Sequence, residues 1–204
     1  LEEFNSRTPG GAKVVIPIAI ARGRAIAAND EFFAPKSNLL KPEPAVFIAG
    51  RFTARGKWMD GWESRRRRTP GHDWCVIELG MRGAIRGVNV DTRHFTGNYP
   101  SHCSIEALDA RSSPTRSACA APGAPWTVLL PQSALRGDGD NYFTIRDERP
   151  WTHVRLNIFP DGGVARLRDL HRPAFEEDRA AVPRHRARED LDQGRLARSV
   201  VADE

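Results

Sequence analysis

Between Lys57 and Cys75 the chain gathers more groups able to move protons or hold charge than a purely structural segment usually carries. Asp60, Glu63, His72, Asp73 and four consecutive arginines, Arg65 to Arg68, share this stretch with Trp58, Trp62 and Trp74. Carboxylates and imidazoles in one place suit general acid–base catalysis, and guanidinium groups suit the planar recognition of an anion. Gly56, Gly61, Pro70 and Gly71 mark much of it as turn or loop, the usual seat of function on a rigid scaffold. The plainer alternative is a solvated charged loop pinned to the core by its tryptophans. Two further polar–aromatic stretches accompany it, Asn29 to Pro35 and Asp91 to Pro100.

The elements that must position these stretches read as short strands. Val14–Ile20 and Ala25–Ala28 are candidates near the start. Cys75, Ile77 and Leu79 alternate with Val76 and Glu78, the period of a half-buried strand. Apolar parity changes between Ile85 and Val88–Val90, and Gly87 at the change predicts a β-bulge. Cys103–Leu108 and Trp126–Leu130 follow, separated by a Ser/Pro/Ala/Gly-rich loop over residues 109–125. Gly137–Asp140 lacks the ligand series of a calcium loop and reads as a turn. Val154, Leu156 and Ile158 give the clearest strand, which ends in the turn Pro160–Gly163 and returns through Val164–Leu167. Short strands divided by Gly/Pro/Asp turns, with almost no helical periodicity, predict an all-β sandwich over residues 1–170. From residue 171 to 204 Arg, Glu, Asp and Ala dominate, so a separate charged tail, irregular or helical, is expected.

Bulk composition narrows the function classes. The chain has 204 residues, 40% of them hydrophobic, enough for one well-packed domain with an extension. The formal charge of +5 rests on 31 basic against 26 acidic residues. That excess is too thin to make nucleic acid the expected partner. The longest apolar run, Val14–Ala21, contains Pro17 and falls short of the roughly 18 residues of a membrane span. Cys75, Cys103 and Cys119 form an odd set without metal-ligand spacing, so a reducing, cytoplasmic setting is expected. His72, Asp73, Asp91, His94 and His102 lack the compact spacing of a zinc motif. No metal is assigned from them, and the sequence requires no cofactor.

An ordered series of motifs resembles the allantoicase (allantoate amidinohydrolase) family. It comprises Asp30–Ala34, Gly56–Arg66, Gly71–Trp74, Val90–Thr92, Phe95–Pro100, Ser104–Ala107, Thr152–Asn157 and Pro160–Arg166. The resemblance implies a jelly-roll, galactose-binding-like β-sandwich, and the hydrolysis of allantoate to ureidoglycolate and urea in allantoin (purine) catabolism. Family members usually carry two copies of the sandwich, and this sequence holds one. Its final residues, Ser199–Glu204, faintly echo Ile26–Glu31, as a linker leading into a truncated second repeat would. Asp169-Leu170-His171 departs from the aromatic and glycine that usually finish the family's last strand.

Allantoate carries one carboxylate and two neutral ureido groups on a single carbon. Releasing urea needs a proton on the leaving nitrogen and a water, or an imine intermediate attacked, at that carbon. Carboxylates and histidine supply such proton transfers when their pKa values suit the role. Glu63 and Asp60 are the leading acid–base candidates, followed by His72, His94 and Asp91. Arg65 or Arg66 suits the substrate carboxylate, and Asn98 or Asn157 suits a ureido end. Asp30, Glu31 and Trp62 complete the expected substrate-binding set. The second reading is a non-catalytic single repeat that binds a sugar or ureide. A lone repeat whose packing face is uncovered is expected to self-associate.

Overall fold

Residues 22–110 and 123–169 are described by the structure, a computed structural model, and they are almost entirely strand and loop. The expected strand Val14–Ile20, most of the loop 109–125 with Cys119, and the tail 171–204 lie outside the described residues. One helical element occurs among the described residues, the 3-10 turn Lys36–Leu40. None of their helices is long and apolar enough to cross a membrane.

Five strands form the larger sheet: β1 (Arg24–Ala28), β5 (Asp73–Gly83), β7 (His102–Leu108), β8 (Thr127–Ala134) and β10 (Trp151–Phe159). Their order is β1-β5-β10-β7-β8, antiparallel throughout. A three-stranded antiparallel sheet places β6 (Gly87–Asp91) between β12 (Arg166–Asp169) and β9 (Asp140–Thr144). Two small pairs complete the set: β2 (Phe52–Thr53) with β3 (Gly56–Lys57), and β4 (Trp62–Glu63) with β11 (Gly163–Val164).

Strand alternation explains the layering. Cys75, Ile77 and Leu79 of β5, Cys103, Ile105 and Ala107 of β7, and Val154, Leu156 and Ile158 of β10 meet Val88, Val90 and Leu167 of the smaller sheet in one buried apolar cluster. The chain is therefore an all-β sandwich, and its core lies between the two sheets. Residues of the opposite parity, including Val76 and Leu108, pack in a separate cluster with Trp74 and Trp126.

Three details differ from the strand expectations. The predicted bulge at Gly87 is absent: Gly87 opens β6 and pairs in register with Thr144, so the parity change reflects a strand start rather than an inserted residue. Register breaks lie instead in the larger sheet, between Ala25 and Ala27 of β1, between Trp151 and His153 of β10, and on either side of Ile105 in β7 where it pairs with β8. Strand β8 continues through Pro131, which an edge strand tolerates because one side of it makes no ladder bonds. Asp140–Thr144 adds a strand the sequence reading passed over as the sequel of a turn.

Candidate functional site

Glu63 is a buried carboxylate carried by the two-residue strand β4. Strand β4 pairs with β11 on one side, Glu63 opposite Gly163, and bridges Ala34 on the other. The two residues of β4 take opposite faces. Trp62 is fully buried in the core, its indole Nε1 donating to the Asp30 carbonyl at 2.8 Å. Glu63 lines a cavity of about 290 Å³ together with Lys57, Met59, His94 and Asn98.

Glu63 is only 9% exposed, and Asn98 Nδ2 donates to its Oε1 at 2.7 Å. Burial pushes its pKa up, against the Asn98 hydrogen bond and the Lys57 ammonium, so the carboxyl sits above its ordinary value. Asn98 is itself fixed from the backbone, where its carbonyl accepts from Gly163 N–H at 2.8 Å. His94, at φ 70°, donates its backbone N–H to Asp138, and its Nε2 lies 3.1 Å from the Ala45 carbonyl. A carbonyl can only accept, so Nε2 carries a proton, and in the neutral ring Nδ1 is the acceptor.

The pairing that carries Glu63 has no room for a side chain at Gly163. A Cβ there would overlap Cε1 of Phe95, itself fully buried. Gly163→Ala is therefore expected to destabilise the fold by about 3 kcal/mol through overpacking. Urea denaturation checks this, and an unchanged midpoint would show that Phe95 can move aside.

The family model for the allantoicase repeat matches residues 17–174. The chain belongs to the allantoicase family. It is 47% identical over 153 residues to a probable allantoicase of Burkholderia mallei, covering 75% of this chain and 44% of that protein. Allantoicase from Saccharomyces cerevisiae superposes with a TM-score of 0.59 at 32% identity, over 76% of this chain and 44% of the yeast chain. The chain thus spans about half the length of the curated relatives it matches. CBM32-3 from a Clostridium perfringens family 31 glycoside hydrolase superposes at a TM-score of 0.52 with 13% identity, covering 79% and 99% of the two chains. That likeness concerns the fold alone, the galactose-binding-like sandwich.

Within this allantoicase repeat the remaining residues singled out from sequence take different places. Asp60 is 6% exposed and receives Lys41 Nζ at 2.8 Å, the Val46 N–H at 3.2 Å and Arg166 at 2.6 Å. Burial raises its pKa, but these donors outweigh burial and hold the carboxylate below its ordinary range. Its oxygens are committed to the scaffold. Asp91 lies in the middle strand of the small sheet, 1% exposed, and accepts the Arg93 N–H at 2.8 Å. Burial raises its pKa, yet it lies outside the Glu63 cavity. His72 stacks against Phe159, centroids 4.7 Å apart, also outside the Glu63 cavity.

Asn157 faces away from the core on β10, donating to Ser104 and Glu106, so it is not brought to Asn98. Glu31 pairs with Lys36 at 2.8 Å. Asp30 holds Arg65 at 2.7 Å, and Arg65 and Arg66 line a second, larger cavity that shares only Phe33 with the first. Lys57 is the cation of the Glu63 cavity that sequence reasoning missed. No local pattern signals it, because the loop and bend over residues 58–61 separate Lys57 of β3 from Glu63 of β4. Among the described residues no group of three or more His, Cys, Asp or Glu side chains is arranged to hold a metal ion.

Proposed function

We propose that the Glu63 cavity hydrolyses allantoate to ureidoglycolate and urea. The observation that carries this reading is a buried carboxyl with a raised pKa, oriented by an amide and faced by an ammonium, in a cavity sized for a small polar molecule and a water. Lys57 takes the substrate carboxylate. Asn98 and the acceptor Nδ1 of His94 hold ureido groups. Glu63, ionised, removes a proton from the water that attacks the central carbon. As the C–O bond forms and the C–N bond breaks, the same carboxyl returns that proton to the departing urea nitrogen. Membership of the allantoicase family supports the substrate, and the geometry supports the placement of Glu63.

Incubating the purified chain with allantoate and assaying urea and ureidoglycolate tests the reading; binding without urea release would favour a non-catalytic repeat. The pH dependence tests the residue. Only the ionised carboxyl acts as base, so kcat/KM falls as pH drops through the raised pKa of Glu63, and the acid limb lies above the ordinary carboxylate range. Lys57 opposes that rise, so Lys57→Met is expected to move the limb to still higher pH and to raise KM. An acid limb unmoved by Lys57→Met would detach it from Glu63.

A further inference from the structure

The second cavity, about 630 Å³, is walled by the four arginines, with Thr69 and the rings of Phe32 and Phe33. Two arginines are braced. Arg65 gives its N–H and Nε to Asp30. Arg67 gives its N–H to Asp161 and its side chain to Asp73, whose carboxylate is 3% exposed. The bracing pins the backbone on either side of Arg66, which with Arg68 has no hydrogen-bond or ion-pair partner among the described residues.

The acceptors in the wall are largely spent. Both Asp30 oxygens are occupied, Asp73 Oδ1 receives Asn29 and Arg67, and Asn29 Oδ1 receives the Trp74 N–H. What the cavity offers a ligand is donors and uncompensated positive charge: four guanidinium groups against two carboxylates. Like charges held this close repel, and an anion of more than one charge relieves the repulsion. Arg55 and Arg65 both sit over the Phe32 ring, at 4.9 and 5.1 Å, which holds that ring in the cavity wall.

We propose that this cavity is a second ligand site, separate from the Glu63 cavity, which binds a compact multivalent anion of the diphosphate class. Arg66 and Arg68 are its direct ligands, and Asp30 and Asp73 position the loop that carries them. The site does not depend on the hydrolysis assigned to Glu63. A diphosphate matches it better than a single carboxylate, because two unpaired guanidinium groups each present a planar fork to a separate charged group.

Calorimetric titration of the full chain with inorganic pyrophosphate at low ionic strength tests the site. Saturable binding at one equivalent is expected, weakened about tenfold or more in Arg66→Gln/Arg68→Gln. A control with the same charge loss, Arg82→Gln/Arg86→Gln, lies at and just beyond the end of β5 opposite Asp73, about 30 Å away, and is expected to change affinity by less than about twofold. Allantoate is expected not to displace pyrophosphate. A nucleoside diphosphate titrated in parallel distinguishes the ligand source: tighter binding than pyrophosphate indicates a base against Phe32, and equal binding an inorganic anion. The proposal is overturned by absent or unsaturable binding, by equal weakening in both double variants, or by displacement with allantoate.

Discussion

Glu63→Gln is expected to lower kcat/KM for allantoate by about 10³-fold while leaving the fold intact. The amide keeps the size of the carboxyl, and its carbonyl still accepts the Asn98 N–H, so the cavity retains its shape. What disappears is the base. KM is expected to change little, because the proposed substrate contacts come from Lys57, Asn98 and His94. Thermal stability separates loss of chemistry from loss of structure, with a definite sign. A carboxyl whose pKa is raised on folding contributes stability at low pH, which is lost as pH rises through its folded value. The glutamine variant is therefore expected to melt at or above the wild-type temperature at neutral pH, with its advantage vanishing in acid. Near-normal turnover in a folded Glu63→Gln protein would remove Glu63 from the mechanism.

The largest stability effect is expected at Arg166. This guanidinium is fully buried and donates to the carbonyls of Asn38, Glu43, Asp60 and Ala165 and to the Asp60 carboxylate. It thereby ties β12 to the 3-10 turn and to the segment leading into β4. Arg166→Met fills much of the same volume but strands those acceptors and leaves Asp60 with Lys41 and the Val46 N–H alone. Breaking one side of a buried ion pair costs about 3–5 kcal/mol, a fall in Tm on the order of 10 °C for a domain of this size. Adding Asp60→Asn to Arg166→Met removes a buried carboxylate that has lost one of its two cations and is expected to recover about 1 kcal/mol of that loss. Equal Tm values for wild type and Arg166→Met would mean the network is dispensable.

Much of this architecture could be read from the sequence because strand period and turn chemistry are local. The alternation of Val154, Leu156 and Ile158 defines β10, and the turn after it falls at Pro160–Gly163. What local pattern could not supply was which polar side chain is consumed by the scaffold. Asp60 and Glu63 look alike as letters three positions apart. The difference comes from Arg166, more than a hundred residues away, which saturates one and not the other. Arg65 likewise looks suited to a substrate carboxylate until Asp30, from another loop, pairs with it at the wall of a separate cavity, where Arg66 keeps no partner among the described residues. Asn157 shows the same lesson, since cross-strand bonds to Ser104 and Glu106 take up its amide N–H groups. His72 is set apart by position instead, its ring against Phe159 and outside the Glu63 cavity. Contacts from distant segments set each placement.

Trp62 and Glu63 are adjacent and face opposite sides of β4, which makes this two-residue strand sensitive to its register. Substitutions act on one face at a time, but a one-residue slip of β4 against Gly163–Val164 would exchange the two. Glu63 would turn toward the apolar interior, and Trp62 would swing into the cavity. Register, more than the identity of either side chain, is therefore the property this strand cannot vary.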